Sequence, residues 1–314
     1  MRFREVTDFE GISSIQCSLV NKVSNHGLSF QECESDVVVS HCLFAFTYET
    51  GAGGTLYLDK RTIGFSLLDS VLTNCIARVN AGGVYCWAKT QTISNSCFHQ
   101  CTCMSAWGNA IRVFLASSSS TESREIVWSS FVSCPKTQND GPSIMTYDGT
   151  EYLEDTNVSA CKVVTKVYGA YIYKGFYSKR CTFSNDVGNI HFWLMPVTGT
   201  SYSFNECNLC NNHQDSSGTM ISNGATTTCK GCVFIQNTFD SLSKTPNLLK
   251  TTSCKFYGNS FSRGSYATSL PLSHITDAIC FYGVGSWKFS FGTSMSFSLW
   301  RVFKLSVMIC VLWL

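Results

Sequence analysis

Thiol chemistry is the chemistry most available to this 314-residue chain, which carries 18 cysteines. Cys207 and Cys210, then Cys229 and Cys232, make two C-x2-C pairs separated by eighteen residues, a spacing that suits a zinc ribbon. Cys101 and Cys103 form another close pair. Six histidines (His26, His41, His99, His191, His213 and His274) share neither H-x-H nor H-x3-H spacing, so none forms a local ligand pair with another. Glu151, Glu154 and Asp155 cluster beside Tyr152 and read as a solvated loop rather than a cation site. Asn157-Val158-Ser159 is the only N-glycosylation triplet, with Asn157 expected to face outward beside an inward Val158. Ser117 to Thr121 read as a surface loop, the kind of element in which recognition often resides.

Composition narrows the classes. With 23 basic and 21 acidic residues the net charge is +2, which supplies no field for nucleic acid, so no nucleic-acid partner is expected. A charged fraction of 14% beside 13% aromatics excludes a disordered chain, and five prolines exclude collagen-like character. The first residues hold no apolar run of signal-peptide length. Residues 305–314 (LSVMICVLWL) are uncharged, but ten helical residues cover about 15 Å, half of a bilayer core of about 30 Å. Residues 297–314 enclose Arg301 and Lys304. They read either as a truncated membrane anchor, giving membrane association through the tail, or as an element capping a core.

Whatever positions these residues is repetitive. A large apolar residue recurs at Leu19, Phe44, Leu72, Phe98, Phe131, Val158, Phe183, Leu209, Phe234 and Phe256, at spacings of 22 to 33 with a mean near 26. Two residues before it stand Cys17, Cys42, Ser70, Ser96, Ser129, Thr156, Cys181, Cys207, Cys232 and Cys254, all small. Three residues after it stand Lys22, Thr47, Cys75, Cys101, Cys134, Cys161, Asp186, Asn212, Asn237 and Asn259. A second signature, Gly-x-x-apolar, follows about ten residues later: Gly53 to Leu56, Gly82 to Tyr85, Gly108 to Ile111, Gly141 to Ile144, Gly169 to Ile172 and Gly218 to Ile221. In the Gly188 unit, Ile190 and Phe192 take the apolar places.

Each unit thus holds at least two short β-branched or aromatic runs and no stretch of helical periodicity. A strand this short cannot bury its face alone. Coiling the chain stacks it on its equivalent about 4.8 Å away, and close packing then restricts each column to one size of side chain. The expected fold is all-β: a right-handed parallel β-helix of about ten turns over residues 12–265, an irregular segment over 266–296 and the apolar tail over 297–314. In the third column, Asn and Asp are expected to take a left-handed bend and to bond along the stack. A leucine-rich repeat needs a further apolar residue two places on, where Ser24, Glu49, Ala77, Cys103, Lys136, Val163, Gly188, Gln214, Phe239 and Phe261 stand, only half of them apolar, and a left-handed hexapeptide helix needs a six-residue period. Cys207 and Cys232 fall in the small-residue column, so the repeat explains them before any metal does. Such spacing favours buried free thiols over an extensive disulfide set.

Phe234–Asn237 and Phe256–Asn259, with Gly53-Gly54-Thr55-Leu56 and Gly82-Gly83-Val84-Tyr85, resemble the F-x-x-N and G-G-A-[ILV] repeats of chlamydial polymorphic membrane proteins. The Cys-for-Asn variants Phe98–Cys101 and Phe131–Cys134 resemble cysteine-rich β-helix surface proteins of trichomonad-type protists. The resemblance covers residues 12–265, lacks a leader and a C-terminal barrel, and implies a surface or adhesion scaffold that binds host or matrix proteins or glycans. Pectate lyases and polygalacturonases share the fold, but their N-T-D, D-D, G-H-G and R-I-K signatures are missing and no acidic pair recurs at the repeat period. No catalytic, cofactor or metal residue is assigned. A polysaccharide lyase or hydrolase with an unrecognised site is the alternative, and a truncated, non-functional family member is a third.

Overall fold

A computed structural model describes residues 18–262, apart from 21, 51–53, 105–107, 117–122, 136–138, 140, 172–174, 196–199 and 215–217, together with 288–291 and 295–298. The chain coils into a parallel β-solenoid. Each turn visits a first sheet of ten strands (Ser18–Val20 to Leu249–Thr252), a second of ten (Val23–Ser24 to Lys255–Tyr257) and a third of nine (Leu28–Ser29 to Ser241–Ser243). Nine strands in the third sheet make eight steps from first to last, so there are about eight complete turns, slightly fewer than ten. A three-stranded sheet (Tyr48–Glu49, Ile76–Ala77, Thr102–Cys103) adds a short fourth side to early turns. The only helical element among the described residues is the 3-10 turn Pro246–Leu248.

The expected column exists. Phe44 pairs with Leu72, Leu72 with Phe98, Phe98 with Phe131, Phe131 with Val158, Val158 with Phe183, Phe183 with Leu209, Leu209 with Phe234 and Phe234 with Phe256. Phe98 and Phe131 stack at 4.7 Å and 8°, Phe234 and Phe256 at 4.7 Å and 5°. Offset ring pairs of this kind add about 0.5–1.5 kcal/mol beyond area burial. Leu19 is the exception: it pairs with Val39 in the first sheet, and Ser24 is the register partner of Phe44. The repeat frame slips in the first turn because Leu19 offers the right size at the right spacing.

Every turn from the Phe44 anchor onward bends at two single residues with positive φ. The first lies three before the anchor (His41, Asp69, Asn95, Trp128, Asp155, Arg180, Glu206, Gly231, Ser253), the second two after it (Phe46, Asn74, Gln100, Ser133, Ala160, Asn185, Asn211, Gln236, Gly258). The left-handed residue is therefore the neighbour of the Asn/Cys column and not the column itself, a correction to the sequence reading. Column side chains point inward instead, where their donors serve the backbone.

The Gly-x-x-apolar signature is also out of frame in places. The inward column of the third sheet runs Leu56, Val84, Ile111, Ile144, Tyr168, Phe192, Ile221, so Val84 rather than Tyr85 faces the core. Tyr168 takes the place given to Ile172, which lies outside the described residues. Gly82 is required by close approach: a Cβ there would lie 2.5 Å from Thr102 N and 2.7 Å from the Cys75 carbonyl.

Within the segment expected to be irregular, and reaching the start of the apolar tail, Lys288–Phe291 pairs antiparallel with Met295–Ser298. Residues 299–314, and with them most of the expected tail, lie outside the described residues. Among the described residues no helix is long and apolar enough to cross a membrane.

Candidate functional site

Three inward columns carry the chain's polar chemistry. In the Asn/Cys column the Cys and Asn side chains donate to the anchor carbonyl one turn back. Cys75 Sγ donates to Phe44 (3.6 Å), Cys101 to Leu72 (3.5 Å) and Cys134 to Phe98 (3.6 Å). Asn212 Nδ2 donates to Phe183 (3.0 Å), Asn237 to Leu209 (2.7 Å) and Asn259 to Phe234 (2.8 Å). Thiol and amide are thus alternative donors to one acceptor, which is why Cys replaces Asn there. The Asn oxygens accept the backbone N–H of the turn before, from Asp186 (3.0 Å), Asn212 (3.1 Å) and Asn237 (3.0 Å), so the amides bond along the stack as expected.

Fourteen of the fifteen described cysteines are free thiols, and Cys33 is disulfide-bonded. Burial pushes Cys97 up to about 12 and raises Cys86 and Cys161, so these thiols stay protonated. In the small-residue column Cys181, Cys207, Cys232 and Cys254 lie on successive turns, and Cys229 also touches Cys232. Cys210, one residue after the anchor Leu209, is buried too but lies outside that column. Among the described residues no group of three or more His, Cys, Asp or Glu is placed to hold a metal ion.

The acidic cluster divides. Glu151 is not in a solvated loop: it is fully buried on Thr150–Glu154, in the inward column Phe65, Gln91, Arg124, Glu151, Phe176 of the first sheet. Arg124, equally buried, sets Nη1 3.5 Å from Glu151 Oε2 and donates to Gln91 Oε1 (2.7 Å) and the Tyr147 carbonyl (2.9 Å). Thr146 Oγ1 donates to Glu151 Oε2 (2.7 Å) and the Tyr168 hydroxyl to Oε1. A signal was available, since Gln91, Arg124 and Glu151 all stand seven before an anchor. Glu154 and Asp155 instead lie outside, bridged by Arg180 at 2.6 Å each, with Lys179 3.1 Å from Glu154.

A second buried polar pair lies in the Asn/Cys column. Asp186 Oδ1 accepts from Cys161 N (2.8 Å), while Oδ2 lies 3.9 Å from His191 Nε2. Burial raises the Asp186 pKa well above the carboxylate range and holds His191 down to about 3. The other described histidines are dispersed: His41 faces Asp69 (3.7 Å), Thr73 holds His99 Nδ1 (3.2 Å), and His26 and His213 are exposed. Asn157 is half-exposed beside buried Val158, as expected, with Nδ2 donating to Ser159 Oγ (3.0 Å).

The outer face of the third sheet was not singled out by sequence. Val84–Ala88 alternates strictly, burying Val84, Cys86 and Ala88 and turning Tyr85 and Trp87 outward. Tyr57 and Tyr85 stack at 5.1 Å, Trp87 and Phe114 at 5.2 Å, Phe114 and Tyr147 at 4.4 Å. The Arg61 guanidinium lies 3.6 Å over the Trp87 ring, Arg112 is 5.2 Å from Phe114, and Lys166 Nζ is 3.5 Å over Trp193. The rings stack nearly parallel on one another, so they offer solvent their edges and hydroxyls. Tyr85 as an outward residue was hidden by the one-residue slip in the Gly82 frame.

No family model, no curated protein and no solved structure matches the chain. What is shown is the solenoid itself.

Proposed function

We propose that the chain is a non-enzymatic recognition rod whose third sheet grips a protein partner with its outer face. Two adjacent outward columns carry the reading, Tyr57, Tyr85 and Arg112 in one and Trp87, Phe114 and Tyr147 in the other. Tyr, Trp and Arg dominate the binding energy of protein interfaces, and here stacking and cation–π contacts hold them in place before binding. A glycan ligand needs free ring faces for stacking, and Phe114 lies between the Trp87 and Tyr147 rings while Arg61 covers Trp87. The carboxylates of the acidic cluster are engaged, Glu151 by Arg124 and Glu154 and Asp155 by Arg180, while Asp59, the register partner of Trp87, is exposed on this face. That favours a scaffold over a hydrolase. The resemblance to chlamydial and trichomonad-type surface repeats supports display at a cell surface or membrane.

The test is binding to a panel of purified matrix and host-surface proteins, with a glycan panel in parallel. A triple variant, Tyr85→Ser, Arg112→Ser and Tyr147→Ser, is expected to lose at least about 100-fold in affinity, at roughly 1 kcal/mol or more per anchor. A control pair on the first sheet, Tyr152→Ser and Tyr177→Ser, leaves binding unchanged. Equal losses in both variants, or binding confined to glycans, overturns the reading.

A further inference from the structure

We propose that Cys254 and Cys232 form a thiol–disulfide exchange site, in which a small-molecule disulfide oxidises the pair to a disulfide clipping two successive turns together. This goes beyond the recognition role and does not depend on it.

Register places the two cysteines level with each other. Lys230 pairs with Thr252 two residues before them, and Val233 with Lys255 one residue after. In-register parallel strands lie about 4.8 Å apart, inside the roughly 4.4–6.8 Å Cα window that a disulfide accepts. The two thiols interact electrostatically. Each is held by carbonyls it can release: Cys232 Sγ by Phe204 (3.2 Å) and Lys230 (3.6 Å), Cys254 Sγ by Cys229 (3.3 Å) and Thr252 (3.5 Å).

What distinguishes this pair from other stacked thiols is access. Of the fourteen free cysteines described, thirteen are buried, and Cys254 alone is half-exposed, in the last described turn of its column. The hydrogen bond from Cys232 lowers the Cys254 thiol to about 7, which favours the nucleophilic thiolate. Cys97 and Cys101 are fully buried, with burial raising both, and they serve as internal references.

The chemistry balances. Cys254 thiolate attacks one sulfur of the disulfide RSSR, forming a mixed disulfide and expelling RS⁻. The Cys232 thiol then loses its proton and attacks the Cys254 sulfur, forming the inter-turn bond and expelling the second RS⁻. Two protein thiols are oxidised, and one RSSR is reduced to two RSH.

The experiment treats the folded protein with oxidised glutathione, quenches with acid, alkylates remaining thiols and maps tryptic peptides by mass spectrometry. The expected product joins the peptide 231–244, carrying Cys232, to 251–255, carrying Cys254. Cys254 is expected to react at least 100-fold faster than Cys101, with a rate that rises through pH 7. In Cys254→Ser, Cys232 is expected to stay reduced; this variant keeps the small hydroxyl that Ser70, Ser96 and Ser129 already place in the column. A Cys254 no faster than Cys101, a stable glutathione adduct that Cys232 never resolves, or a Cys232 linked instead to Cys207 or Cys229 overturns the proposal.

Discussion

Replacing Asp186 by Asn should stabilise the protein at neutral pH, and the gain should vanish in acid. The Asn/Cys column surrounds each of its side chains with acceptors. Asn212 Nδ2 has both the Phe183 carbonyl (3.0 Å) and Asn237 Oδ1 (3.1 Å) before it. At the Asp186 level the register puts the Val158 carbonyl in the place that the Phe183 carbonyl has for Asn212, and Asn212 Oδ1 accepts from Asp186 N (3.0 Å). An ionised carboxylate has no proton to give them, and Oδ2 has no hydrogen-bond partner. The facing titratable groups are His191, both of whose ring nitrogens are unpartnered, and the protonated Cys161 thiol, so no cation compensates a charge there.

Asp186 therefore keeps its proton in the fold, whereas an unfolded Asp releases it above about pH 3.9. Its contribution is full below that value and lost as pH rises through the raised folded value. His191 works in the opposite sense: its pKa is depressed, so its contribution is present above the unfolded value of about 6.5 and lost as pH falls toward about 3. Asn removes the first dependence, leaves the second and donates at every pH. Each pH unit between about 3.9 and the raised folded value destabilises the Asp186 protein by about 1.4 kcal/mol. Urea denaturation of Asp186→Asn and wild type at pH 3.5, 5, 7 and 8.5 should show a difference near zero at the lowest pH, growing by about 1.4 kcal/mol per pH unit up to that folded value. A constant difference across the range, or a less stable variant at pH 7, would refute the neutral-acid account.

Arg124→Met should destabilise by about 3–5 kcal/mol in urea, because it leaves Glu151 buried without its cation, and adding Glu151→Met should restore most of the loss. Ala160→Gly should raise stability by about 0.5–1 kcal/mol, since relief of its left-handed backbone (φ 55°) outweighs the extra freedom of the unfolded chain; calorimetry reads the sign.

Much of the fold is legible in sequence because a solenoid gives each turn the same room at the same radius. The small column, the anchors from Phe44 to Phe256 and the Cys-for-Asn exchange could all be read from spacing near 26. The same criterion misplaced Leu19 and Tyr85, since size and spacing cannot detect a one-residue slip that turns a side chain from core to solvent. Tertiary structure alone decided how the polar residues are used. Glu151 looks like its solvated neighbours Glu154 and Asp155 until Arg124, 27 residues away in the chain, is stacked against it. The outer columns of Tyr57 with Tyr85 and of Trp87, Phe114 and Tyr147, and the one half-exposed free thiol among the described residues, at Cys254, are likewise set by contacts between turns. A residue's physical neighbours above and below lie a whole repeat distant in sequence, and whether water or protein fills that place is determined only once the chain has coiled.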